Sequence, residues 1–392
     1  MDASKRQALL WTALYGVAIL AVFPQELRHT TGVVNIEVPV RVFDADRFVD
    51  DLTIGDFEVL ENGKPQKILS LYLVRKTKVE REESPAEPAP TPAAPAKAAP
   101  ETVRNFVLIF EVHDPMPKID QAIDYFFREV FRRGDRVTIV GPRGSYHFRQ
   151  ETSDRIRPAD VARQIKGKLR KDIIAGSVEY RRLIQDIKDM EKLADAGSDA
   201  AERAIESDIR QLRDRLTVTD QGIRQLARQL KAQEGRKVVF LFYEKEEIPI
   251  PGPKYSDSAN RGELDRPLDF DAKEIEKLFA DASMTVNFIF LTNSSTGTMD
   301  ITDVRPGERH LMDLSPSFYG AFREISRASG GTTEASANAM ASFKKTVAAS
   351  ENYYLLYYSP AEYKADGKFK EIEIRVKGKS YQVSHRAGYI AD

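Results

Sequence analysis

The stretch "EVHDPM", from Glu111 to Met116, gathers two carboxylates and an imidazole within four residues. It follows the apolar run "FVLIF" and precedes "KIDQAIDYFFREVF", whose apolar spacing is helical, so these side chains stand at a strand-to-helix junction. In an open α/β sheet that junction, at the carboxyl end of a strand, is where ligands dock. Carboxylates there could grip a cation or move a proton, and acids merely solvated at a strand end would look the same. Other chemistry is thinly represented. "GPRGS" and "RASGGTTEA" lack the lysine and spacing of a phosphate-binding loop, and no G-x-S-x-G elbow, H-E-x-x-H helix or paired-cysteine metal spacing occurs. The residues point to a non-enzymatic chain, with a hydrolase built on dispersed Ser, Thr and Asp as the remote alternative.

The elements that must position the junction follow from periodicity. "VNIEVPVRVFD" alternates through Ile36, Val38, Val40 and Val42, as a strand with one buried face does. "FEVLENGKPQKILSLYLV" is two strands turned at Asn62-Gly63, residues tolerant of positive φ. Residues 33–78 therefore form a small β-sandwich-like unit, too short to close its own core. Proline and alanine dominate residues 79–102, an extended linker. From 103 to 360 apolar strands ("RNFVLIFEV", "DRVTIV", "KVVFLFYE", "TVNFIFLT", "NYYLLYYS") alternate with helices, which predicts an α/β domain with a doubly wound, mostly parallel sheet. The last residues, 361–392, return to strict alternation around Lys377-Gly378-Lys379 and read as a β-hairpin. Its strands, within 368–390, would complete the N-terminal β-unit.

Residues 160–233 interrupt this order with a helical insertion. Val161, Ile165, Leu169 and Ile173 recur every fourth residue, and Ile205, Ile209, Leu212 and Leu216 follow 4-3-4 spacing. Gly197-Ser198 breaks the run, so the expectation is an antiparallel helical hairpin. Its length, far beyond an ordinary connection, favours a projecting coiled-coil arm over a pair lying on the main domain.

Across all 392 residues, Lys and Arg number 59 against 60 Asp and Glu, for a net charge of −1. No global field draws the chain to nucleic acid or an anionic membrane. The absence of cysteine rules out disulfides, thiolate metal sites and a cysteine nucleophile. Lys5 and Arg6 precede the apolar run Ala8 to Phe23, so residues 1–24 read as an export signal. The surroundings of Ala21 make a poor cleavage site, which leaves a removed signal peptide or a retained anchor. The expected location is extracytoplasmic: periplasmic, secreted, or tethered by the N-terminus.

The blocks "VPVRVFDADRFVDDLTIGDFEVLENGKPQKI", "RRGDRVTIV", "GRKVVFLFYEKEE", "REISRASGGTTEA", "YYLLYYSP" and "RAGYIA", together with the strand at Phe106, resemble the VWFA-related bacterial proteins. That family carries a von Willebrand factor type A domain beside a small β-domain. The resemblance spans Val33 to Asp392 apart from the linker and the helical insertion. It implies a type A domain, which commonly holds Mg²⁺ or Mn²⁺ at a metal-ion-dependent adhesion site. On that pattern Glu111 takes the place of the leading Asp, His113 and Pro115 replace two Ser ligands, and Asp114 lies between them. Glu244 stands for the later Asp, and Thr217 or Thr219 lies nearest the Thr loop.

These departures weaken a magnesium site, because Mg²⁺ demands oxygen ligands at about 2.0 to 2.1 Å in a near-ideal octahedron. Pro115 brings no ligand atom and His113 brings nitrogen, which suits zinc or copper better. The expectation is a degenerate site without a cofactor. The alternative is a divalent metal held by a remodelled set of Glu111, His113 and Glu244, with Asp114, Glu246 and Glu247 nearby. The functional expectation is accordingly a protein-protein interaction module whose partners are proteins, captured through the helical arm. Metal-dependent adhesion is the alternative, and membrane contact is expected only through the N-terminus.

Overall fold

The architecture comes from a computed structural model. It describes residues 34–45, 47–76, 78–85, 104–112, 117–132, 134–141, 144–148, 157–216, 218–233, 236–244, 247–250, 268–269, 271–292, 310–313, 315–378 and 380–392. The N-terminal part supplies β1 (Ile36–Asp44), β2 (Arg47–Phe48), β3 (Phe57–Glu61), β4 (Lys64–Gln66), β5 (Ile68–Arg75) and β6 (Lys78–Glu83). Asn62 and Gly63, at φ of 48° and 76°, make the tight turn between β3 and β4.

The middle of the chain runs β7 (Arg104–Glu111), α1 (Pro117–Tyr125), a π-helical turn at Phe126–Val130, β8 (Arg136–Gly141), β9 (Gly144–Phe148), α2 (Pro158–Asp195) and α3 (Asp199–Leu216). It continues with β10 (Val218–Thr219), α4 (Asp220–Lys231), β11 (Arg236–Glu244), β12 (Glu247–Ile250), β13 (Leu268–Asp269), α5 (Ala272–Asp281) and β14 (Met284–Leu291). Then come β15 (His310–Asp313), α6 (Ser315–Ala328), β16 (Thr333–Ser336) and α7 (Ala339–Glu351). The C-terminal strands are β17 (Asn352–Tyr358), β18 (Phe369–Val376), β19 (Gln382–His385) and β20 (Gly388–Ile390).

The protein is a mixed α/β structure. Its central sheet has the order β16-β14-β11-β7-β8-β9, all neighbours parallel except the antiparallel edge pair β8 and β9. Strand alternation sorts the side chains. Phe106, Leu108, Phe110, Phe240 and Phe242 enter one apolar cluster with Ile119 of α1, Ile165 of α2 and Phe343 of α7. Val107, Val239, Leu241 and Tyr243 enter the other with Leu230 of α4, Ile275 of α5 and Phe322 of α6. Helices thus cover both faces, which is why these strands read as unbroken apolar runs.

Apart from the two-stranded sheets β10-β13 and β12-β15, the remaining strands build a β-sandwich from both ends of the described chain. One sheet runs β19-β1-β17-β5-β6 with β2 added on β1, and the other runs β20-β18-β3-β4. Val38, Val40, Val42, Tyr354, Leu356 and Tyr358 from the first meet Val59, Ile372 and Ile374 from the second, all buried.

Three placements differ from the sequence expectation. The first residues of the expected linker, 79–102, are strand: β6 (Lys78–Glu83) pairs antiparallel with β5. The strand Asn352–Tyr358, expected in the parallel sheet, pairs antiparallel with β1 and β5 instead. Both of its faces are occupied: Tyr354, Leu356 and Tyr358 fill the sandwich core while Leu355 packs with Tyr72 and Val74 outside it. A strand covered on two sides carries the same apolar run in either kind of sheet, so the pattern cannot choose. The turn at Gly378, φ 93°, also does not close a hairpin. It carries the chain across the sandwich, since β18 pairs with β3 and β20 while β19 pairs with β1. Among the described residues no helix is long and apolar enough to cross a membrane, and the apolar run from Ala8 lies outside the described residues.

Candidate functional site

The carboxyl ends of β7 and β11 lie side by side. Their register sets Glu111 against Tyr243, and the register of β11 with β14 sets Glu244 against Leu291. Paired residues share a face and successive residues alternate. Tyr243 belongs to the cluster beneath α4, α5 and α6, whereas Leu291 belongs to the cluster beneath α1 and α7. Glu111 and Glu244 therefore leave the sheet on opposite faces, and Glu244 is only 3% exposed. For two carboxylates to share one small cation, their oxygens must converge within a few ångströms. The strand pattern here sends them apart.

Of the other expected site residues, His113, Asp114, Pro115, Thr217 and Glu246 lie outside the described residues. Thr219 is placed by its backbone in β10, paired in parallel with Asp269 of β13. Glu247 opens β12 and pairs with Asp313 of β15. Among the described residues no group of three or more His, Asp or Glu side chains is arranged to hold a metal ion.

The helical insertion is a hairpin with two characters. Helix α2 has 38 residues, about 57 Å of α-helix. Its first four turns dock: Val161, Ile165, Leu169 and Ile173 are buried in the cluster that holds Phe126, Phe127 and Ile139. Farther along, Ile187 of α2 and Ala201 and Ile205 of α3 are buried together, flanked by Tyr180, Leu183, Ile184 and Met190. Gly197, at φ 90°, turns the chain between them, and the Ser198 amide donates to the Leu193 carbonyl at 3.3 Å. This seam is continuous with the apolar cluster on the second face of the sheet, so the hairpin is anchored along its inner side rather than free-standing.

Its outer side is different. Ile174, Val178 and Leu193 are 44%, 60% and 52% exposed. Ile174 and Val178 are one turn apart and share a face. Around them lie the polar pairs Arg182–Asp186 at 3.5 Å, Gln185–Asp189 at 3.0 Å and Lys192–Asp189 at 2.9 Å. Exposed pairs of this kind stabilise a helix by only about 0.3 to 0.5 kcal/mol each. They keep the surface soluble without covering the apolar residues.

The sequence reading missed a third feature, the seam between sandwich and α/β body. Gly330, at φ 75°, sits against the His385 backbone, and a Cβ on Gly331 would land on the Val286 carbonyl. Ser384 donates to the Gly330 carbonyl at 3.0 Å, and the Ala387 amide to the Ala328 carbonyl at 2.7 Å. Buried Arg386 donates to Ser283 Oγ at 2.8 Å, the Ala280 carbonyl at 3.3 Å and the Glu37 carbonyl at 2.6 Å. Lys231 of α4 joins Asp281 at 2.8 Å to C-terminal Asp392 at 2.6 Å. The blocks "SRASGG" and "RAGYIA" are thus fastened to one another. Beside them a cleft of about 1120 Å³ opens, lined by Phe43, Phe48, Tyr319, Arg327, Thr333 and Ser384 among others. The available signal was modest: adjacent glycines after a helix, and basic residues inside strands that otherwise alternate.

The chain matches no protein-family model, and no curated protein sequence matches it.

Proposed function

We propose that this chain is an extracytoplasmic protein-protein interaction module, in which a doubly wound body of the von Willebrand type A kind is the rigid platform and the α2–α3 hairpin is the docking arm. One observation carries the reading. Among the described residues four large apolar side chains are conspicuously exposed, and three of them, Ile174, Val178 and Leu193, lie on the single helix α2. Scattered exposed apolar residues are ordinary on a soluble surface, but a concentration on one element marks a contact surface. A helix presenting apolar residues one turn apart is the form that a groove or a second helix receives.

The strand order, with parallel strands covered on both faces, supports the type A reading of the body. The opposite directions of Glu111 and Glu244 support capture through surfaces, without a divalent ion bridging the partner. The charged and apolar N-terminal segment supports export, with the membrane met only there.

The test is the double substitution Ile174→Glu and Val178→Glu. Both side chains are exposed, so the melting temperature stays at the parent value. Proteins crosslinked to the parent chain in its native envelope fraction should be lost from the variant. Recovery of the same crosslinked proteins, in the same yield, would remove the arm from the account.

A further inference from the structure

Arg41 stands in β1 at a position whose neighbours Val40 and Val42 point into the sandwich core, so its own side chain leaves by the other face. That face meets the α/β body rather than water, and Arg41 is 3% exposed. Its Nη1 is buried with no hydrogen-bond partner among the described residues. The charge that bears on it is another cation, Arg236, the first residue of β11.

Tyr353 relates the two residues through its backbone rung beside Arg41 and its ring beneath Arg236. Val40 pairs with Tyr354, so the next rung sets Arg41 abreast of Tyr353. The Arg236 guanidinium lies 4.0 Å from the centre of the Tyr353 ring. Its Nη2 donates to the Ser350 carbonyl at 3.2 Å, and its buried Nε has no partner among the described residues. Two forked donors from separate halves of the protein thus converge with N–H groups unspent.

Such a pair is costly as it stands. Removing one ion from water costs several kcal/mol even after relaxation, and two like charges add repulsion. Burial first, and Arg236 second, lower the pKa of Arg41 to about 9, so it remains a cation at neutral pH. Farther along β1, at Glu37, lie two further buried cations: Lys237, 6% exposed, and Arg386, 8% exposed and with a buried Nε without a partner among the described residues. The neighbouring acid that acts on Lys237 and Arg386, Glu37, already accepts a 2.6 Å hydrogen bond from Tyr357.

We propose that Arg41 and Arg236 form a binding site for a small oxyanion, a phosphate, sulfate or carboxylate group, at the seam between the β-sandwich and the α/β body. The planar fork of arginine matches the spacing of two oxygens on such groups, and a charge-assisted pair in a low-dielectric setting is the strong kind of hydrogen bond. The bound anion would join β1 to β11 and so tie the two parts of the protein together. This site is separate from the helical arm and stands or falls independently of it.

The test is thermal unfolding of the full chain in Tris chloride at fixed ionic strength, titrated with sodium phosphate, sodium sulfate or sodium acetate against sodium chloride. A ligand of the native state raises stability by RT ln(1 + [L]/Kd), so the melting temperature should climb with the logarithm of oxyanion concentration beyond Kd. Phosphate and sulfate acting above acetate identify a tetrahedral oxyanion, and acetate acting equally identifies a carboxylate. In Arg41→Met the apparent affinity falls about tenfold or more, which is the loss of about 1.4 kcal/mol. The same substitution leaves the anion-free protein at least as stable as the parent, because it deletes a buried cation whose Nη1 has no partner among the described residues. If Arg41→Met does not fold, Arg236→Gln carries the same expectation for affinity. The proposal is overturned if no oxyanion acts beyond chloride, or if phosphate protects the Arg variants as well as it protects the parent.

Discussion

Glu111 and Glu244 end neighbouring parallel strands yet leave the sheet on opposite faces, one with Tyr243 and the other with Leu291. A single-residue offset between adjacent strands is enough to do this, because side-chain direction has a period of two. The consequence is measurable. Addition of Mg²⁺, Mn²⁺ or Zn²⁺, or removal of trace ions with EDTA, should leave the melting temperature unchanged, since only an ion bound to the native state moves it. A saturable rise with one of these ions would instead show that the crest assembles a coordination set.

The buried ion pair at the opposite end of the sheet holds β7 to the loop before β8. Arg104 donates to both carboxylate oxygens of Asp135, at 3.0 and 2.7 Å, and to the Val130 carbonyl at 2.8 Å. Burial raises the pKa of Asp135 above the usual carboxylate value despite Arg104, so desolvation outweighs the pairing. Losing Asp135 is nevertheless severe, because Arg104 stays buried with the more distant Glu351 carboxylate, at 3.8 Å, in place of a two-pronged partner. Asp135→Ala should destabilise the protein by about 3–5 kcal/mol in urea unfolding. A loss within about 0.5 kcal/mol, as for ordinary surface substitutions, would show that water reaches Arg104.

His385 makes the seam sensitive to acid. Its Nδ1 lies 2.8 Å from the Arg386 carbonyl, and its Nε2 accepts from the Ile374 amide at 3.3 Å. Both bonds are satisfied by the neutral ring with the proton on Nδ1. Burial holds its pKa below 6.5, with the Arg386 carbonyl partly opposing. Below about pH 6.5 the unfolded chain therefore takes up a proton that the folded chain refuses. Stability is complete above that value and falls as pH drops through the window beneath it. Unfolding measured from pH 7.5 to 5 should show this slope, and His385→Gln should flatten it.

Two glycines should respond oppositely to alanine. Gly331 faces the Val286 carbonyl, part of a backbone fixed in β14, so a methyl group forces the strand or the α6–β16 turn to move. Overpacking of that kind costs about 1–3 kcal/mol. Gly320, exposed in α6, has no atom within 4 Å of its missing Cβ. Gly320→Ala should stabilise by about 0.5–1 kcal/mol through helix propensity. Equal effects of the two substitutions would contradict the packing described for Gly331.

Legibility in the sequence followed how locally each feature is determined. β7, β11 and β14 announce themselves because both their faces are buried, and Asn62-Gly63 and Gly197 because positive φ demands particular residues. β16, "TEAS", offers four half-exposed or exposed residues and no apolar signal, so its place at the sheet edge was invisible. Asn352–Tyr358 was recognisable as a strand but not assignable to a sheet. The seam was hidden for a different reason. Arg41 sits among the outward residues of an alternating strand, which a strand with one buried face would leave solvated, yet it is 3% exposed. For the arm, periodicity marked the docked apolar positions Val161, Ile165, Leu169 and Ile173, while Ile174, Val178 and Leu193 fall outside those repeats and carried no signal of their own.

The docking role of the arm can be put to one direct measurement. A photo-crosslinking amino acid is placed singly at Val178, at Leu193 and, as a control, at Val79, which is 38% exposed on a sandwich edge strand. Irradiation in the native envelope should give discrete higher-mass adducts from positions 178 and 193 and none from 79. Adducts of equal strength from position 79, or none from either arm position, would contradict the account.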